Sequence, residues 1–269
     1  MSLPSGDIPA RVIEEARRST RDAGQLALGY FRHGSDTTAE VSFKAGGSPV
    51  TEADLAVDAL LKERLTALAP DFGWLSEETE DNPARLARRR VWIVDPIDGT
   101  RAFARGDTDW TIAVGIVEDG VPVAGFVYAP VPDEFFEASA GAPALRNGER
   151  IRATDREGLS GARLAGPKPM LDRLAGRAAF DRAPRVHSLA YRIIHVADGR
   201  IDGGLAGGRS HDWDLAAAHA VLLAAGGVLV DGFGRPPRYN RASTLQPPLA
   251  AAGTSLAPAL VEAVRSLAA

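Results

Sequence analysis

The stretch VWIVDPIDGTRAF, Val91 to Phe103, brings two carboxylates, Asp95 and Asp98, to the end of an apolar run and then turns on Gly99. Carboxylates that close repel one another, and one is pushed toward protonation unless a cation neutralises the pair. No basic residue lies between them. Taken alone, D-x-x-D reads as a turn, with Asp98 bonding its own backbone and Asp95 capping. Its setting argues for more. Leu75-Ser76-Glu77-Glu78 closes another apolar run with acids, and Trp213-Asp214 puts one in the first turn of an apolar helix. Asp214 also has a plain reading as a charge favoured at a helix N-terminus, and Asp54, three residues after Thr51, as half of a capping box.

Acid groups at element ends, with no cysteine and no paired-histidine spacing, suit a hard cation that prefers oxygen, such as magnesium. Two such ions sharing a carboxylate would clamp the attacking water and the leaving oxygen of a phosphoryl displacement. Gly99 and Thr100 open a short helix, TRAFA, whose N–H groups would face the phosphate. The chemistry indicated is magnesium-dependent hydrolysis of a phosphate monoester. Phosphatases of the haloacid dehalogenase type follow an apolar strand with D-x-D-G-T, where the first aspartate is a covalent nucleophile. Here D-P-I-D-G-T has two residues between the acids, which favours water as the attacking group.

The elements that must position these groups follow from periodicity. Val12, Ala16, Leu26 and Tyr30 recur at helical spacing from about Ile8 to Phe31. After KAGGSPV, a second helix is marked by Leu55, Leu61, Leu65 and Leu68 and stops at Pro70. FGWLS, VWIVD, WTIAVGIVEDG, VPVAGFVYAP and FFEASA are short apolar runs, and Asp119-Gly120 and Asn147-Gly148 are hairpin signals, so a mostly antiparallel sheet is expected. Beyond Gly141 strand-like and helix-like segments alternate: LAYRIIHVADG helical, IDGGLAGG a strand, DWDLAAAHAVLLAAGG helical, VLVDGFG a strand, LAPALVEAVRSLAA a terminal helix. The class is α/β, with an N-terminal α+β lobe over 1–140 carrying most acids and a C-terminal α/β lobe over 141–269 carrying Asp214.

Composition narrows the function. With 269 residues, 45% hydrophobic and 25% charged, the chain can bury a real core. A net charge of −4 gives no footprint for a nucleic acid polymer. Zero cysteines exclude disulfides, thiolate zinc sites and a cysteine nucleophile. The opening residues lack the pattern of a signal peptide, and the most apolar tract, from Leu215, is broken by His219 and a glycine pair and too short for a membrane span. A cytoplasmic protein is expected. His219 reads as a packed core histidine, and Arg88-Arg89-Arg90 as a solvated edge.

From about Lys44 to Asp231 the chain resembles the inositol monophosphatase superfamily of lithium-sensitive, magnesium-dependent phosphatases. D-P-[IL]-D-G-T stands intact as Asp95 to Thr100, the acidic pair as Glu77-Glu78, and W-D-x-A-A as Trp213 to Ala217, in the family's order. The resemblance implies a layered α-β-α-β-α sandwich of the inositol monophosphatase and fructose-1,6-bisphosphatase type. It implies that Glu77, Asp95 and the carbonyl of Ile97 hold one magnesium, that Asp95, Asp98 and Asp214 hold a second, and that Glu77 holds a third, weaker one. Asp54 and Thr100 match the pair that orients and deprotonates the attacking water. Lys44 falls where the family has a lysine near the metals, or is a solvated loop residue. Many members are dimers, so a homodimer is admitted.

The ester is less legible. Ser188-Leu189-Ala190-Tyr191 stands where inositol-specific members carry a glycine-serine/threonine-alanine-alanine stretch, and Gly207 where they carry a glutamate that grips an inositol hydroxyl. LSEE, DPIDGTRAF with Arg101 and GFVYAPV resemble the 3'(2'),5'-bisphosphate nucleotidase branch. A second phosphate on such a substrate needs a cation, and Arg192 or Arg209 would supply it. His211 reaches the substrate or caps the helix. The leading expectation is a bisphosphate nucleotidase, followed by inositol-1-monophosphatase and histidinol-phosphatase; a non-catalytic protein binding a phosphorylated ligand is the alternative of another class.

Overall fold

Small residues on one stripe let the first helix lie close to its sheet. Helix α1 (Ala10–Tyr30) turns Val12, Ala16, Ala23 and Ala27 inward. A hairpin of β1 (Val41–Phe43) and β2 (Pro49–Thr51) leads into α2 (Glu52–Leu68), whose start is fixed by a capping box between Thr51 and Asp54. The inward face of α2 is Ala53, Val57, Leu61 and Leu65. Leu55, one of the leucines that mark this helix, is 54% exposed. Six residues separate it from Leu61, about one and two-thirds turns, which carries it to the far side of the helix. The computed structural model describes Leu3 and residues 7–44 and 46–268. Part of the opening segment read for a signal peptide, Ala45 in KAGGSPV, and Ala269 in the segment LAPALVEAVRSLAA lie outside them.

The larger sheet contains β3 (Gly73–Ser76), β4 (Arg90–Asp98), β5 (Thr111–Glu118), β6 (Val121–Ala129), β7 (Glu134–Ser139), β8 (Leu145–Arg146) and β9 (Glu149–Arg150), in that spatial order. Only β3 and β4 run parallel; every other neighbouring pair is antiparallel. Asp119-Gly120 and Asn147-Gly148 form the tight hairpin turns, all four residues having positive φ, as a two-residue turn between twisted strands requires. Between β4 and β5 lies α3 (Thr100–Arg105). The smaller sheet has the order β11, β10, β12, β14, β13, from β10 (Arg163–Ala165), β11 (Asp181–Arg182), β12 (Gly203–Ala206), β13 (Gly227–Asp231) and β14 (Leu249–Gly253). Its helices are α4 (Lys168–Ala175), α5 (Leu189–Ala197), α6 (Ala216–Ala224) and α7 (Ala257–Ala268).

Three apolar clusters join these into layers. Val57, Leu61, Trp92 and Phe126 belong to the cluster between α1, α2 and the larger sheet. Val127, Phe136, Ile194, Val221 and Leu229 belong to the one that seats α5 and α6 between the two sheets. Leu164, Leu171 and Leu260 belong to the third, under α4 and α7. The order is helix, sheet, helix, sheet, helix, the α/β sandwich expected. Gly115 and Gly125, register partners in β5 and β6, permit the central contact. A Cβ on Gly125 would stand 2.1 Å from the carbonyl oxygen of Ala217, and one on Gly115 3.1 Å from its nitrogen. The helix backbone that follows Asp214 therefore lies directly on the sheet that carries Asp95.

Candidate active site

Strand β4 delivers Asp95 and Asp98 at its C-terminal end, where the register with β5 slips between these two residues. The neighbouring parallel strand β3 ends at Ser76 and presents Glu77 beside them. Asp214 arrives from the turn before α6. That helix begins at Ala216, so the acid precedes it and does not lie in its first turn as expected. Asp214 Oδ2 accepts the N–H of His211 at 2.6 Å, which uses it to brace its own turn.

Oxygen atoms of Glu77, Asp95 and Asp214 all lie within 4.8 Å of one another. Both oxygens of Asp95 are buried and have no hydrogen-bond partner among the described residues. An orphaned carboxylate among like charges is among the most costly arrangements a protein can hold. Burial, reinforced by the charges of Glu77 and Asp98, holds Asp95 well above the usual carboxylate range. Burial and then Asp98 do the same to Asp214. Asp98 adjoins the group, but its Oδ2 accepts from Ser188 Oγ at 2.6 Å and from the Ala190 N–H at 2.5 Å; burial still pushes it up to about 6. An all-oxygen donor set without histidine or sulfur fits a hard divalent cation.

Beside the cluster, Thr100 Oγ1 lies 3.2 Å from Asp54 Oδ1 and 3.0 Å from the carbonyl oxygen of Ile97. Asp54 Oδ2 accepts both the N–H and the hydroxyl of Thr51, at 2.8 and 2.5 Å. The capping residue thus has one oxygen for the helix and one for Thr100. Burial raises Asp54 to about 6 against the lowering effect of these bonds. Gly99 is left-handed, with φ of 99°, and a Cβ there would meet the Asp109 carbonyl oxygen at 3.1 Å. Lys44 Nζ stands 2.8 Å from carboxylate oxygens of both Glu77 and Glu78. Burial pushes Glu78 up to about 7, the lysine opposing it.

A cavity of about 690 Å³ opens over the acids, lined by Lys44, Glu77, Arg101, Arg209, His211 and Asp214 among others. His211 stacks flat on Trp213 at 4.6 Å and its Nδ1 meets Thr244 Oγ1 at 2.8 Å. Two residues expected at the substrate are placed elsewhere. Ser188 is fully buried, caps α5 by accepting the Tyr191 N–H at 2.9 Å, and reaches the site only through Asp98. Arg192 donates to the carbonyls of Leu205 and Val186 at 3.0 and 2.6 Å, so its guanidinium is committed to the interior. His219 is buried in the core and pairs with the Tyr239 hydroxyl at 2.9 Å.

Several groups near the site escape sequence reasoning. Asp58, one turn after Asp54, contacts Ser76 and Thr79 on either side of the acidic pair. Its i, i+4 relation to Asp54 was the available signal. Asp212 is fully buried and accepts from Gln246 Nε2 at 2.6 Å and the Asn240 N–H at 2.8 Å, which secures the loop that brings Leu245 to the cavity and Thr244 to His211. Nothing local in the sequence marks that pairing.

Sheets, layers and clustered acids together define an α/β sandwich with a carboxylate centre. Residues 9–268 match the inositol monophosphatase family, and the chain belongs to that family, whose members are metal-dependent enzymes hydrolysing phosphate monoesters. It is 30% identical over 245 residues to a 3'(2'),5'-bisphosphate nucleotidase CysQ of Shigella flexneri, covering 88% of this chain and 97% of that one. It is 33% identical over 240 residues to a probable inositol 1-monophosphatase ImpA of Mycobacterium tuberculosis, covering 84% and 86%. Among solved structures it is similar to an inositol monophosphatase of Thermotoga maritima, with a TM-score of 0.80, 26% identity and coverage of 95% and 97%. Among the described residues no helix is long and apolar enough to cross a membrane.

Proposed function

We propose that the chain is a cytoplasmic, magnesium-dependent phosphomonoesterase whose substrate is a 3'(2'),5'-bisphosphate nucleotide. The observation that carries the metal reading is the Asp95 carboxylate, buried with both oxygens unpartnered among Glu77, Asp98 and Asp214. Glu77, Asp95, the Ile97 carbonyl, Asp98 and Asp214 would hold the ions. Magnesium at these groups would supply neutralisation of the phosphate charge and a lowered pKa for the attacking water.

The chain's own residues do the rest. Thr100 Oγ1 accepts a proton from the attacking water as its own passes to Asp54 Oδ1, 3.2 Å away. Asp54, held near 6 by burial, is poised to accept at neutral pH and to release afterwards. The Gly99 and Thr100 N–H groups face the phosphate being cleaved, and Arg101 stands at its edge. Glu77 would also hold a third, weaker ion.

Support for the bisphosphate comes from charge at the cavity. Lys44, Arg101 and Arg209 line it, and with Arg192 committed inside, Arg209 is the cation for a second phosphate. Gly207, which stands in the sequence where inositol-specific members carry a glutamate, has no side chain to grip an inositol hydroxyl. Turnover of 3'-phosphoadenosine 5'-phosphate, inositol 1-phosphate and histidinol phosphate, compared at saturating magnesium, tests the choice. The highest kcat/KM is expected for the first; a preference for inositol 1-phosphate would transfer the assignment to that ester.

A further inference from the structure

Helix α2 carries two buried aspartates one turn apart, and the second, Asp58, stands outside the carboxylate centre. Its Oδ1 accepts the hydroxyl of Ser76, and its Oδ2 accepts that of Thr79 at 2.6 Å. Ser76 is the last residue of β3 and Thr79 lies three further on, so the two hydroxyls bracket Glu77 and Glu78. Each hydroxyl is used again: Ser76 Oγ accepts the Glu78 N–H at 3.4 Å, and Thr79 Oγ1 accepts from Trp74 Nε1 at 3.2 Å. The turn that presents two like charges is thereby fastened at both ends to one side chain.

Side chains four apart share one helix face. Asp54 engages Thr100, just past the end of β4, while Asp58 engages the end of β3. Strand pairing sets Ser76 beside Val94, and the Glu77 N–H donates to the Val94 carbonyl at 3.3 Å; the helix face adds side-chain ties that hold the rest of the acid turn against the strand end carrying Asp95 and Asp98. Lys44 offsets part of the repulsion at Glu77 and Glu78; without the Asp58 tie, what remains would favour an acid turn swung toward water.

We infer that Asp58 is a positioning residue: through Ser76 and Thr79 it holds Glu77 against Asp95 and Asp214 and so sets the affinity of the centre for its cation. This rests on the reading that a divalent cation binds there. Loss of a partner that orients a ligand typically weakens metal binding by about 10–100-fold.

The test is calorimetric titration of magnesium into chelator-stripped protein without substrate, on wild type, Asp58→Ala, Asp58→Asn, Ser76→Ala and Thr79→Val. Asp202→Asn serves as control, since Asp202 is also buried but bonds Thr154 and Arg163 far from the acids in the fold. Asp58→Ala is expected to weaken binding by about tenfold or more, and Asp58→Asn, which keeps one acceptor, by less. Raised magnesium should restore turnover in Asp58→Ala. The hydroxyl variants should each weaken binding and be non-additive with Asp58→Ala. Asp202→Asn should lower Tm and leave the affinity unchanged. Folded Asp58→Ala with wild-type affinity, or an equal loss in Asp202→Asn, overturns the inference. If Asp58→Ala does not fold, wild-type affinity in both hydroxyl variants overturns it. Wild-type protein that binds no magnesium would remove the cation reading itself, a result distinct from any of these.

Discussion

Thr100 Oγ1 approaches Asp54 Oδ1 to 3.2 Å, and this contact joins the first turn of α3 to the first turn of α2. Asp54 meets its capping duty through Oδ2 alone, which leaves Oδ1 to serve chemistry. Asp54→Asn should keep most of the cap and lose the proton acceptor. A fall in kcat of about 10²–10⁴ is expected with magnesium affinity unchanged. Steady-state kinetics alongside metal calorimetry check it; a loss of affinity matching the loss of rate would make Asp54 a metal-site residue instead.

Removing Asp95 should separate stability from function. Its oxygens have no partner, and burial with its neighbours' charges disfavours its ionised form. Asp95→Asn relieves that repulsion, so the chelator-treated variant should melt above chelator-treated wild type while magnesium affinity and turnover fall. Thermal melts with and without magnesium read both effects; a metal-free variant less stable than wild type would contradict the account.

The pH dependence of the metal-free protein follows with its sign. Asp54 and Asp98 are raised from an ordinary 3.8 to about 6, and Glu78 from 4.5 to about 7, chiefly by burial. Between the unfolded and folded pKa values the native state binds more protons than the unfolded chain, so stability falls as pH rises. In chelator, Tm should drop between about pH 4 and pH 7, and magnesium at neutral pH should restore it. A metal-free Tm that climbs across this window would show that these groups are not held raised.

Arg209 is exposed at the cavity wall, and its replacement tests the second phosphate. Arg209→Ala should raise KM for 3'-phosphoadenosine 5'-phosphate about tenfold, the value of one charge-assisted bond, with little change for a simple monophosphate. Equal effects on both esters would place the arginine at the cleaved phosphate.

Packing beneath the site sets a further expectation. Gly125→Ala would drive a Cβ to 2.1 Å from the Ala217 carbonyl oxygen, which α6 can relieve only by moving. A loss of about 3 kcal/mol is expected, read as a fall in Tm of about 6–12 °C for a chain of this size. Because α6 follows Asp214, magnesium affinity should fall as well.

Much of this centre was legible because it is local. Asp95, Asp98 and Gly99 occupy one strand end and one turn, and Thr51 with Asp54 forms a capping box visible in four residues. The hairpins at Asp119-Gly120 and Asn147-Gly148 are equally local. What escaped depends on distant chain. Whether Ser188 and Arg192 face a substrate is decided by Asp98, Leu205 and Val186, which accept the serine hydroxyl and the two terminal guanidinium nitrogens. Asp58 gains its place only when β3 is laid beside α2. Strand β14 was hidden because LAAAG has neither β-branched residues nor alternation, although it is buried throughout.

The most direct measurement is phosphate release from 3'-phosphoadenosine 5'-phosphate by chelator-stripped protein as magnesium is added back. No release without the metal, and saturable release with it that is abolished in Asp95→Asn, is the expected result. Release that is indifferent to chelator, or unchanged in Asp95→Asn, would contradict the assignment of the carboxylate centre.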